Sequence, residues 1–290
     1  MWLNDTDVHR LNGNVFVFDL EWIGDIAEDY KKCKIWDVAC VHVVSGSTFS
    51  KCVLPELTGE NLSAEHGGVD CVPPVTRSMI LNSEHGTLRS VIKEWCDWMH
   101  ETRETSENCI LVAHNCFRAD ALVMMHEFAR CGAAVYMQDV LMTDSLLHLR
   151  YVLRDEPITS FSLQSLCTEM SLPAPLDPHR AISDCIALSR VLSTCRNLHN
   201  CEFISGIAMP FGHVSLTVVV GIGVAGALAF KNTIQIEDLW ALKAYLFSKY
   251  GDASMQTCTR LLVRIMPNRS AQNCSYTAEN IVSALHDICI

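Results

Sequence analysis

Apolar positions along the chain fall into short continuous runs that alternate with stretches of helical spacing. Asn14-Val15-Phe16-Val17-Phe18-Asp19-Leu20 is a run that stops at acids. It predicts a strand buried on both faces that delivers Asp19 to its C-terminal edge. Ile35 to Val44 is a second β-rich stretch, and Ser45-Gly46-Ser47 turns it into Thr48 to Leu54, predicting a hairpin. Residues 55–76 are rich in Pro, Gly and polar groups and predict a long surface loop. From Glu84 to Met99 the positions Leu88, Val91, Ile92, Trp95, Trp98 and Met99 define an amphipathic helix. Cys109-Ile110-Leu111-Val112-Ala113 predicts another buried strand, and a helix follows over about 120–131 with Gly132 as its C-terminal cap. Val135 to Val140 reads as a further strand and Asp144-Ser145 as the opening of a short helix. Ser162 to Met170 and Ala181 to Leu198 predict two more helices. Strands alternating with helices through residues 14–198 predict an α/β layer fold.

The pattern changes after Glu202. Between Phe203 and Phe230 the one ionisable side chain is His213. Val214 to Phe230 is a Val/Gly/Ala-rich stretch of 17 residues, at the short end of the roughly 17–25 that span a bilayer. It reads either as a membrane segment or as a buried helix or strand pair, with Pro210, Gly212 and His213 interrupting its upstream extension. Ile236 to Tyr250 predicts an amphipathic helix, and residues 203–290 as a whole read as a separate, helical C-terminal region without a chemical motif.

Composition narrows the possible partners. In 290 residues, 49% are hydrophobic and 19% charged, so a packed core is available. Twenty-two Lys and Arg against 33 Asp and Glu give a net charge of −11. A protein that grips nucleic acid through a broad phosphate-neutralising surface carries the opposite balance. Any nucleic-acid chemistry here must therefore use a small site, with metal cations supplying positive charge. The 15 cysteines include no C-x-x-C pair, and most lie in apolar runs, as expected of buried reduced thiols. The opening Met1-Trp2-Leu3-Asn4-Asp5-Thr6-Asp7 shows no basic-then-apolar leader, so a reducing compartment, cytosol or nucleus, is expected.

Three constellations carry candidate chemistry. Asp19-x-Glu21 ends a predicted strand, and carboxylates at i and i+2 on a strand point the same way, toward one hard cation. His114-Asn115 follows the next buried strand, with Arg118 and Asp120 just beyond. Asp120 at a helix start is also favoured by the helix dipole with no function at all. His179 precedes Asp184 by five positions, a loop histidine before an acid in the first turn of a helix.

Taken in order, these motifs resemble those of the DEDDh 3′→5′ exonucleases, the DnaQ-like family, and are most similar to the three-prime repair exonuclease (TREX) group. Phe18-Asp19-Leu20-Glu21 with Gly24 resembles the first motif, and Leu111-Val112-Ala113-His114-Asn115 with Arg118 and Asp120 the second. Thr143-Asp144-Ser145 and Phe161 to Leu166 resemble the segments leading to the third, and the likeness covers about residues 14–200. Trp22-Ile23 stands where the group usually has small or hydroxyl residues, and Ala119 where it often has an aromatic.

The resemblance implies an RNase H-like fold over residues 1–202, with a central mixed five-stranded sheet flanked by helices. It implies two Mg²⁺ or Mn²⁺ ions held by Asp19, Glu21, Asp120 and Asp184, with His179 as general base. Leu20, Trp22, Ile23, His114, Asn115 and Arg118 are then the expected contacts to the strand end, with Arg180, Lys31, Lys32 and Lys34 as expected backbone contacts. The implied reaction releases nucleoside 5′-monophosphates from a nucleic acid with a free 3′ end, single-stranded DNA before RNA. A homodimer and a C-terminal membrane tether through 214–230 are further implications. The competing reading is a scaffold that keeps the fold without turnover, with Trp22 obstructing the cleft.

Overall fold

The computed structural model describes residues 12–26, 30–54, 86–137, 139–175, 180–203, 208–211, 222–235, 239–250, 253–267 and 270–287. The expected loop over 55–76, the general-base candidate His179 and the N-terminal half of the 214–230 stretch lie outside them. Two compact units divide the chain, Met1–Pro210 and Phe211–Ile290.

The first unit is built on a mixed sheet in the order β3-β2-β1-β4-β5-β6. The strands are β1 (Val15–Ile23), β2 (Lys34–His42), β3 (Thr48–Cys52), β4 (Cys109–Ala113), β5 (Val140–Asp144) and a two-residue edge, β6 (Met209–Pro210). Parallel pairing joins β1 to β4 and β4 to β5, whereas β2 runs antiparallel to both β1 and β3. The C-terminal ends of β1, β4 and β5 therefore share one edge of the sheet with the N-terminal end of β2.

Alternation along β1 sorts its side chains between two apolar layers. Phe16 and Phe18 face α1 (Leu88–Thr102), where Phe18 meets Trp95 at 5.7 Å and Phe16 meets Trp98 at 5.6 Å between ring centroids. Val15 and Val17 face the opposite way. They join Ala39, Val41, Ile110 and Val112 beneath α5 (Ala181–His199), whose Cys185, Leu188, Val191 and Leu192 close that layer. The intervening helices are α2 (Asp120–Arg130), α3 (Ser145–Val152) and α4 (Leu163–Glu169). Thr87, Asp144 and Ser162 cap α1, α3 and α4 through side-chain oxygens that accept main-chain N–H bonds. Gly132, at φ +68, takes the left-handed position just after α2.

Most predicted elements recur with shifted ends, but the strand expected over 135–140 does not. Ala134–Met137 forms a 3-10 turn, and the strand starts at Val140. The composition break at Glu202 also precedes the structural one. Phe203 and Ala208 pack in the layer under α5, and Met209–Pro210 pair with β5.

The second unit contains α6 (Gly223–Ile234), α7 (Leu239–Tyr250), α8 (Met255–Ile265) and α9 (Ala271–Asp287). Cys258, Leu261, Leu262 and Ile265 of α8 and Cys274, Ala278 and Ile281 of α9 are buried apolar positions spaced three and four apart, joined by Phe230 of α6 and Leu242 and Leu246 of α7. Among the described residues no helix is long and apolar enough to cross a membrane. None of the 13 described cysteines forms a disulfide and none is exposed, as expected of small core hydrophobes.

Trp95 is completely buried between α1 and the sheet. Trp95→Ala should destabilise the protein by about 3–5 kcal/mol, read from chemical denaturation, because the cavity lies where a rigid sheet cannot collapse into it.

Candidate functional site

The α5-facing row of β1 is Val15, Val17, Asp19, Glu21, apolar for two positions and acidic for the next two. α5 lies over this row, and Asp184 in its first turn descends onto the acids. One ligand oxygen from each of Asp19, Glu21 and Asp184 lies within 4.8 Å of the others.

Asp120 reaches the same place by a different route. β1 pairs with β4 only through Val15–Val17, so the N–H of Leu20 lies beyond that ladder. The buried Asp120 carboxylate accepts this N–H at 3.2 Å, which ties the start of α2 to β1. The turn that delivers Asp120 begins at Asn115, whose φ of 59° swings the chain out of β4. Asp144 holds the turn from the other side by accepting the N–H groups of Phe117 (3.3 Å) and Leu146 (2.9 Å).

Crowded and buried, these acids resist ionisation. Burial, followed by Asp120, Glu21, Asp184 and Asp37, holds the Asp19 carboxyl well above its ordinary range. Glu21 is pushed up to about 8 by burial and then by Asp184, Asp37 and Asp120, with Arg180 opposing. Asp120 is pushed to about 7 by burial, against the N–H bonds that favour its charged form. A group of hard oxygen donors that repel one another is chemically matched to Mg²⁺ or Mn²⁺. Asp19, Glu21 and Asp184 offer the oxygens for such an ion.

The other expected residues divide. Trp22 and Ile23 are half-buried at the end of β1, and Arg118 is exposed. The Leu20 side chain is buried and its N–H is used by Asp120, which leaves only its carbonyl to face a ligand. His114 has both ring nitrogens engaged, Nδ1 with the Ser145 hydroxyl at 3.0 Å and Nε2 with the Phe161 carbonyl at 2.7 Å. The carbonyl can only accept, so Nε2 carries the proton and Nδ1 receives the hydroxyl's. His114 thus joins β4, α3 and the start of α4.

Two of the basic side chains expected at the strand end are committed inside the protein. Lys34 donates to the buried Glu127 at 2.7 Å, and Arg180 donates from Nε to Asp37 at 3.0 Å. Asp37 is the one acid beside the site that the sequence reading passed over. It lies directly opposite Glu21 in the β1–β2 ladder and is completely buried. Its signal was an acid sharing the alternation of Ala39 and Val41 at the head of an apolar strand.

No family model matches the chain. It is similar to Exonuclease DPD1, chloroplastic/mitochondrial, of Arabidopsis thaliana, 29% identical over 192 residues. That match covers 64% of this chain and 57% of the plant protein, so the chain spans little over half its relative's length. Among solved structures it is similar to the nuclease domain of 3′hExo, a DEDDh family member bound to rAMP (14% identity, TM-score 0.49, 66% of this chain and 94% of that one). It is also similar to cell-death related nuclease 4 (15%, 0.48, 66% of each chain). The zinc-bound E. coli ExoI–ssDNA complex matches at 15% identity and TM-score 0.47, over 64% of this chain and 41% of that one.

Glu21, with an ordinary value of 4.5 and a folded value of about 8, binds more protons in the folded protein than in the unfolded chain between those limits. Unfolding then releases protons, so stability in EDTA should fall as pH rises from about 5 to about 8. Thermal melts should show Mn²⁺ restoring stability more at the upper end than at the lower. Glu21→Gln should flatten the EDTA profile.

Proposed function

We propose that the chain is a metal-dependent 3′→5′ exonuclease that hydrolyses the terminal phosphodiester of a nucleic acid and releases nucleoside 5′-monophosphates. The observation that carries this reading is the convergence of Asp19, Glu21 and Asp184 within 4.8 Å, with Asp120 fastened to β1 beside them. Similarity to a plant exonuclease over 192 residues supports it. Residues 1–202 are proposed as the nuclease region and residues 203–290 as an appended, largely helical region, of which Phe203, Ala208, Met209 and Pro210 belong with the first unit.

Asp19, Glu21, Asp120 and Asp184 would hold two divalent cations, Mg²⁺ or Mn²⁺. Bound there, they would supply positive charge for the scissile phosphate and the departing 3′ oxygen. His179 precedes Asp184 by five residues and acts as the base that takes a proton from the attacking water, a task suited to an imidazole that titrates near neutrality. Asn115 and the main chain of Leu20 to Ile23 orient the strand end. Trp22, half-buried at the rim, offers a face on which the terminal base stacks. Arg118, exposed beside that turn, meets the backbone.

Single-stranded DNA is the favoured substrate, with RNA as the second. Such a narrow site suits a protein of net charge −11, because a few nucleotides and bound cations suffice where a broad basic surface is lacking. Dimerisation and a reducing compartment are part of the same proposal.

Purified full-length protein with Mn²⁺ should shorten 5′-labelled single strands from the 3′ end and release mononucleotides, and EDTA should stop it. Asp19→Ala and Asp184→Ala should lose activity, while His179→Ala should fall about 10²-fold or more and retain cation binding. Parallel DNA and RNA oligomers assign the substrate. Undiminished cleavage by Asp184→Ala would refute the proposal, and cation binding without mononucleotide release would identify a scaffold.

A further inference from the structure

We propose that the Asp37–Arg180 ion pair is a positioning element for the cation site, holding the first turn of α5 against β2 so that Asp184 stays in register with Glu21. The inference rests on the reading of the acidic cluster as a divalent-cation site. Asp37 faces α5 in the same row as Ala39 and Val41, and it sits across the ladder from Glu21. Arg180 donates Nε–H to Asp37 Oδ2 at 3.0 Å, and its guanidinium lies 5.8 Å from the centre of the Trp36 ring. Trp36 is the residue of β2 that the ladder skips, because pairing passes from Glu21–Asp37 to Trp22–Ile35. This irregularity places the Trp36 ring beside Arg180 while Asp37 stays opposite Glu21.

The grip is transmitted to Asp184 through the main chain. The Arg180 carbonyl accepts the N–H groups of Ser183 (2.8 Å) and Asp184 (3.3 Å), so the residue that clasps Asp37 also opens the helix beneath Asp184. On the other side of Asp184, the Cys185 thiol donates to the Ala39 carbonyl at 3.4 Å. Asp184 is thus bracketed by two contacts to β2, at Asp37 and Ala39, and β2 is registered against the strand that bears Asp19 and Glu21. A planar guanidinium that donates Nε–H to Asp37 and lies against the Trp36 ring suits this task better than a flexible ammonium, because the two contacts fix its orientation.

A merely electrostatic role for Arg180 makes the opposite prediction, which supplies the test. Removing its charge leaves the Asp37 carboxylate beside the acids, and this alone would tighten cation binding. Loss of positioning weakens it. Mn²⁺ affinity of the full-length chain is measured by the electron paramagnetic resonance signal of free Mn²⁺, with circular dichroism to verify folding.

Arg180→Gln should weaken Mn²⁺ binding about tenfold, within the range for residues that orient metal ligands. Arg180→Lys, which keeps the charge and loses the planar guanidinium against Trp36, should also weaken it, by a smaller factor. Unchanged or tighter Mn²⁺ binding in a folded Arg180→Gln protein would overturn the proposal. If that variant does not fold, wild-type affinity in Arg180→Lys would overturn it instead. Failure of the wild-type chain to bind Mn²⁺ would remove the cation site and this proposal together. Mn²⁺ binding lost in Asp19→Asn, without cleavage of DNA or RNA, would refute the nuclease reading and leave the positioning effect measurable.

Discussion

One row of side chains organises the first unit. On the α5-facing side of β1, two valines are followed by two acids, and the alternation of a strand gives the chain no freedom to separate them. The valines require a lid, and α5 supplies it through Cys185, Leu188, Val191 and Leu192. Packing that lid draws the first turn of α5, with Asp184, over Asp19 and Glu21. Hydrophobic burial at one end of the row therefore forces like charges together at the other. Burial first, and the neighbouring like charges second, raise Glu21 and Asp19, a conflict that a divalent cation would relieve.

Topology explains why residues distant in sequence meet here. From β1 the chain passes first to β2 on one side, and later returns to β4 on the other. The ends of β1 and β4 therefore adjoin where connections depart in opposite directions. β1 extends past the last β4 pairing at Val17, and the N–H of Leu20 is satisfied across the gap by Asp120. The same bond ties the start of α2 to β1. Burying a carboxylate at this point is tolerable because it answers a main-chain donor that the ladder leaves without a strand partner.

The sequence revealed strongly patterned elements and hid the weakly patterned ones. β1, β4 and the hairpin were legible because uninterrupted apolar runs ended at acids or turn residues. α1 was legible from its repeated Trp and Leu spacing. The end of β1 was not, because Glu21-Trp22-Ile23 mixes charge and bulk yet continues to pair with β2. The strand expected over 135–140 was displaced because Val135 and Tyr136 look β-like, whereas tertiary context folds them into a 3-10 turn and gives the sheet Leu141 and Met142. Asp19, Glu21, Asp120 and Asp184 were found by motif order. Asp37 was not, since one acid in an apolar run signals nothing until its cross-strand partner and Arg180 are known.

Charge is distributed with similar economy. Glu127 takes up Lys34 and Arg130, with Lys34 joining β2 to α2, and Asp37 takes up Arg180. Each of these cations is held by an acid that is itself buried, and Arg180 also opposes the upward shift of Glu21. Had Lys34 or Arg180 instead paired with Asp19 or Glu21, the cluster would be neutralised internally and would have little affinity for a cation from solvent. Placing a separate acid opposite each basic side chain lets arginine and lysine fasten the surrounding elements while the ligand oxygens of Asp19, Glu21 and Asp184 stay grouped within 4.8 Å. The surplus of carboxylates in the chain thus does two jobs near this edge: some gather at the site, and others anchor neighbouring basic side chains.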